Sequence, residues 1–206
     1  MSHTTSSNSA LVSALVELQR LKRLDRTGWS LRGLPAGTES VAAHSFGVSV
    51  TAMLLADELV SKGIHIDVEQ LLRMAILHDW AEARVGDMPR TAATYFGAEA
   101  RKAAESAALA DMVQCLKNRA RYQSLHESYE ERKSLEARLV KAADVIDLLV
   151  QVLAFERAGA RGLDEFWEVA KSGDFKLEGD AQKLIRDLLA ALLEERRNIV
   201  ATTHVL

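Results

Sequence analysis

Short stretches of this chain set histidine and carboxylate side chains on helix faces that are otherwise apolar. His44 shares a stripe with Val41, Val48, Thr51 and Leu55, the spacing of a core-facing helix side. His78 continues a second stripe with Leu71, Ala75 and Glu82, and its neighbour Asp79 follows Leu72, Ala75 and Ile76. At the helical pitch, His78, Asp79 and Glu82 fall within an arc of roughly 100° and can face one point. Asp144 and Asp147 lie one turn apart within a hydrophobic run, LVKAADVIDLLVQVLAF. A carboxylate buried without a partner is costly or takes up a proton.

One divalent ion accounts for His44, His78, Asp79 and Asp144 on the inward faces of three helices. Imidazole together with carboxylate suits Mn, Fe, Co, Ni or Zn better than Mg. Such a ligand set leaves coordination positions for water and a substrate oxygen, so the chemistry expected is hydrolysis at a polarised phosphoryl group. Each residue also has a plainer reading. Asp144 can pair with Lys141 one turn away, and a lone histidine is more often a core or surface residue than a ligand. His3, His65, His126 and His204 belong to that ordinary class.

The elements that must position these groups read as helices almost throughout. Ala, Leu, Glu, Lys and Arg dominate, and Pro35 and Pro89 are the two prolines, a helix-forming composition. Helices are expected near 9–25, 40–62, 68–84, 98–117, 119–129, 131–158, 164–171 and 179–200. Gly63 is placed to stop the second and Asp67 to cap the third. The stretch RTGWSLRGLPAGT, at 26–38, reads as a loop. The helix over 131–158 is apolar on nearly every side and must sit centrally. With no repeat or composition break, the expectation is an all-α, single compact helical domain over 9–206, behind a disordered tail at 1–8.

Composition removes several classes of function. The net charge of −3 offers no basic field for a nucleic acid polymer or an acidic membrane. Cys115 is the single cysteine, which excludes an intrachain disulfide and a thiolate zinc cluster and fits a reducing cytoplasm. The polar start MSHTTSSNSA does not read as a signal peptide. Acidic residues interrupt the longest apolar stretches, so none is expected to span a membrane.

The order His44 … His78-Asp79 … Asp144 on successive helices resembles the H…HD…D signature of the HD superfamily of metal-dependent phosphohydrolases. The likeness extends over about residues 12–157. Arg26-Thr27-Gly28-Trp29 and Glu39-Ser40-Val41-Ala42-Ala43-His44-Ser45 are similar to the opening of its 5′-deoxynucleotidase branch. The run from His78 through Glu82 to Gly86-Asp87-Met88-Pro89 matches that branch's "HD-x-x-E … GD-x-P" pattern. Ala43 departs from it, since many relatives carry an acidic residue there.

The resemblance implies an HD-type fold with His44, His78, Asp79 and Asp144 as metal ligands. It implies Glu82 as the acid/base acting on the attacking water, and Asp87 at the pocket rim, positioning water or sugar. Arg26 would bind the phosphate, and Trp29 would offer a loop-borne stacking surface to sugar or base. The activity implied is removal of phosphate from (deoxy)nucleoside 5′-monophosphates. Two alternatives stand beside it: action on nucleoside di- or triphosphates, and a metal- or nucleotide-binding regulatory module without turnover. The partner expected is a small nucleotide. Family members often form homodimers, for which the apolar last helix (LIRDLLAALL) could supply the interface.

Overall fold

The structure, a computed structural model, describes residues 7–172 and 174–203. Residues 1–6 of the expected tail lie outside the described residues, as does His204, while Ser7 and Asn8 already belong to a helix. The helices are α1 (Ser7–Leu18), α2 (Thr27–Ser30), α3 (Val41–Ser61), α4 (Val68–Leu77), α5 (Glu82–Val85) and α6 (Arg90–Phe96). They continue as α7 (Ala98–Val113), α8 (Arg119–Glu131), α9 (Leu135–Arg157), α10 (Asp164–Ser172) and α11 (Gly179–Thr203). Among the described residues the β pairing is one isolated bridge, Asp25 to Ser40. The all-α expectation holds. No described helix is long and apolar enough to cross a membrane.

Local signals explain most boundaries. Asp67 Oδ1 accepts the Gln70 N–H at 2.9 Å, capping α4. Gly63, at φ +83°, turns the chain after α3. Ser134 caps α9 by accepting the Ala137 N–H. Three expectations needed correction. The helix expected over 9–25 gives way to a 3-10 turn at Gln19–Lys22. The loop over 26–38 contains α2, and α6 precedes α7. The helix expected to run from 68 to 84 stops at Leu77, and residues 78–81 turn in tight i→i+3 steps before α5. Trp80 donates to Leu77 O and Glu82 to Asp79 O, at 3.0 and 3.1 Å. That tightening changes which side chains eclipse.

The chain divides into two units. In the first, built from described residues up to Phe46 and from Arg73–Glu131, Leu21, Val41, Ala83 and Met112 form one buried cluster. A second cluster joins Ala81 of the turn to Ala108, Leu109 and Val113 of α7. The turn carrying His78 and Asp79 is therefore followed directly by residues anchored in the core.

The second unit comprises Gly47–Leu72 and the described residues from Arg132 onward. Its α9 buries Leu139, Val140, Val145, Ile146, Leu149, Val152 and Leu153, as its apolar pattern requires, and packs against α10 and α11. Ala181, Ile185, Leu189 and Leu192 of α11 are buried, so much of the face expected for a partner chain is taken up within this unit. On α3, Gly47 faces Asp147 so closely that a methyl group there would overlap its carboxylate.

Candidate metal centre

The break after Leu77 builds the centre. Carbonyls in the last turn of a helix lack backbone donors four residues on, and His78 Nδ1 donates to that of Ala75 at 2.7 Å. With the proton on Nδ1, Nε2 keeps its lone pair. That Nε2 is buried, lies 3.1 Å from Asp79 Oδ2 and makes no hydrogen bond. Two lone-pair donors this close call for positive charge between them. His44, 1% exposed, brings its own Nε2 to 3.8 Å from the same oxygen. The imidazoles stand edge to face with ring centres 5.5 Å apart, and Tyr129 packs on the far side of His78 at 5.6 Å.

Donors about 2.1 Å from an ion lie roughly 3 Å apart when adjacent and 4 Å when opposite. The separations of 3.1 and 3.8 Å fall in that range, and donor atoms of His44, His78 and Asp79 all lie within 4.8 Å of one another. The residues present thus fit a divalent ion, by spacing, by chemistry and by the unsatisfied His78 nitrogen. Burial would raise the Asp79 carboxyl, but His78, His44 and Arg26 outweigh it and hold the group well below the usual carboxylate range.

Glu82 sits one 3-10 step beyond Asp79, so the two side chains emerge on one side. It is buried, and its Oε2 has no hydrogen-bond partner. Burial pushes its carboxyl well above its ordinary value, and the charges of Asp79 and Asp87 push the same way against Arg26. Such a group is suited to accept a proton from a neighbouring water.

Arg26 reaches the same place from the other side. Its Nη1 lies 3.4 Å from Asp79 Oδ2 and its Nε 3.8 Å from Asp87 Oδ1. Asp87 Oδ2 accepts the Thr27 N–H at 2.5 Å, and the Asp87 carbonyl accepts the Thr27 hydroxyl at 2.8 Å. The Asp87 carboxylate therefore ties down the first turn of α2 and the Arg26 beside it.

Trp29 corrects an expectation. It is 2% exposed, and its indole Nε1 donates to Glu39 Oε2 at 2.5 Å. The reason is α2 itself, which turns the supposed loop inward and removes the ring face that would have stacked on a ligand. Asp144 lies in the second unit, where Lys141 Nζ donates to its Oδ2 at 2.6 Å. Its ligand role rests on sequence order.

Two residues escaped sequence reasoning. Glu39 is buried and within 4.8 Å of a His44 ring nitrogen; its signal was a carboxylate inside the segment leading to His44. Glu105, paired with Arg101 at 2.8 Å, adds to the negative field on Glu82. Its signal was a charge on the buried stripe of Ala108, Leu109 and Met112. His126 is also buried, with neither ring nitrogen hydrogen-bonded, although its helix reads as polar; it is not in the His44–His78–Asp79 cluster.

Comparison with known proteins bears on this geometry. A model of the HD domain matches residues 18–178. The 5′-deoxynucleotidase HDDC2 of Xenopus laevis is 30% identical over 201 residues, covering 96% of this chain and 92% of that protein. The 5′-deoxynucleotidase hdd1 of Schizosaccharomyces pombe is 30% identical over 203 residues, covering 95% and 94%. Among solved structures, the PH0347 protein of Pyrococcus horikoshii superposes with a TM-score of 0.76 at 35% identity, covering 89% of this chain and 99% of that one.

Proposed function

This chain belongs to the HD domain family, and on that premise we propose that it hydrolyses nucleoside 5′-monophosphates, deoxynucleotides foremost. The observation that carries this reading is the buried His78 Nε2 facing Asp79 Oδ2, with Glu82 one step beyond. The names of the relatives, both 5′-deoxynucleotidases, support the substrate class. His44, His78 and Asp79 would hold the ion, with Asp144 proposed as the fourth ligand from the H…HD…D order. Mn, Co, Fe, Ni or Zn suits these donors better than Mg. When bound, the ion supplies a Lewis acid and lowers the pKa of water.

The chain's own groups do the rest. Glu82 takes a proton from the attacking water as its oxygen bonds to phosphorus. The 5′-oxygen departs from the opposite face of phosphorus as the ester bond breaks and takes its proton from water. Arg26 presents a guanidinium fork to the phosphate oxygens. Asp87 acts through Arg26 and Thr27, holding the turn from which that fork extends. Trp29 backs the site from the core instead of stacking on substrate. A cytoplasmic location, suggested by the single thiol of Cys115, completes the proposal.

Phosphate release from matched deoxynucleoside mono-, di- and triphosphates tests the reading. The monophosphate should be turned over best. Loss of one charge-assisted contact costs about 1.5–3 kcal/mol, so Arg26→Ala should lower kcat/KM on the monophosphate by about 10–150-fold. A preference for the triphosphate, with Arg26→Ala neutral on the monophosphate, would replace this reading with polyphosphate hydrolysis.

A further inference from the structure

Glu39 belongs to the segment that leads into His44. It is a buried carboxylate, 9% exposed, just before α3. Such a buried polar group calls for polar neighbours, and its surroundings supply them from both sides. Oε2 takes the Trp29 indole N–H. A carboxylate oxygen lies within 4.8 Å of a ring nitrogen of His44. The backbone is engaged as well: Glu39 O accepts the Arg26 N–H at 3.0 Å, beside the Asp25–Ser40 bridge. One residue thus touches the stretch that carries Arg26, the core indole of Trp29 and the surroundings of a metal-site imidazole.

We propose that Glu39 is a positioning residue of the metal centre. Its carboxylate, anchored by Trp29, orients the His44 imidazole and increases its basicity as a ligand, while its backbone fixes where Arg26 begins. The physical logic is that of a carboxylate behind a metal-bound histidine, which sets the ring's tautomer and direction. It also gives buried Trp29 a function: the indole N–H holds one carboxylate oxygen, so the group cannot swing away from the ring. This inference rests on the metal-centre reading, and the test separates the two.

Metal affinity is measured on chelated, metal-free protein by titrating Mn or Co, with the thermal midpoint recorded before and after addition. Glu39→Gln keeps an oxygen that can accept the Trp29 N–H and removes only the charge. It should bind metal about 10–100-fold more weakly, the usual cost of losing such a partner, while its metal-free midpoint is not lowered. A merely structural role would do the reverse. Trp29→Phe keeps most of the ring's packing and deletes the N–H; it should weaken metal binding severalfold and serves as the test should Glu39→Gln not fold. Parent-like affinity in either folded variant overturns the inference. So does a loss in Glu39→Gln as deep as that of His78→Ala, which would make Glu39 a ligand. Failure of the parent itself to take up metal would instead overturn the metal centre, and this inference with it.

Discussion

His78→Ala should yield a folded protein that takes up no stoichiometric metal and releases phosphate from nucleotides no faster than background. The imidazole is placed for one purpose. Its Nδ1 is committed to Ala75 O, which leaves Nε2 facing Asp79 with no hydrogen bond of its own. If His78 holds the ion as proposed, removing the ring deletes one of its donors, a deeper loss than the roughly 10–100-fold expected for an outer partner. The fold should survive, because the flanking Leu77 and Ala81 remain buried in the core. Metal analysis and phosphate release, run on the same preparation, check the outcome. Full metal occupancy in His78→Ala would contradict the centre. Asp144→Ala should behave alike; full occupancy there would remove only Asp144 from the ligand set.

Glu82→Ala should separate metal binding from turnover. Metal content should match the parent's, while kcat falls about 10²–10⁴-fold, the range for a positioned acid/base. Glu82 lies one turn beyond Asp79, and burial with the charges of Asp79 and Asp87 raises its proton affinity. Glu82→Gln, which preserves shape and removes the carboxylate's ability to take up a proton, should lose a similar factor. If Glu82→Ala turns over at the parent rate, Glu82 is structural and the chain is better read as a metal- or nucleotide-binding module.

The sequence carried the fold class and the heart of the site because both follow from periodicity. Val41, Val48 and Leu55 are buried, as is His44, as their spacing requires. His78 and Asp79 stand out because a polar pair interrupts an apolar stripe. The conformation of the turn that carries them was not legible. The helical template continued to residue 84, whereas the chain tightens after Leu77, a choice set by packing of Ala81 and Ala83 against other helices. Trp29 was misread for a similar reason. Glycine and proline around it signalled a loop, and no local rule reveals that Asp87, sixty residues on, accepts the Thr27 N–H and secures α2. Glu39 and Glu105 were missed because a buried carboxylate resembles a surface one until its tertiary partners are known.

If a metal-dependent centre in this chain cleaves a nucleotide phosphomonoester, removing the ion must stop turnover. The most direct measurement is phosphate release from a deoxynucleoside 5′-monophosphate by chelated protein, followed as Mn, Co, Zn or Mg is added back. The expected result is no release after chelation, and restoration that saturates near one ion per chain with Mn or Co more effective than Mg. Release that persists undiminished in the fully chelated protein, or that no added metal restores, would contradict it.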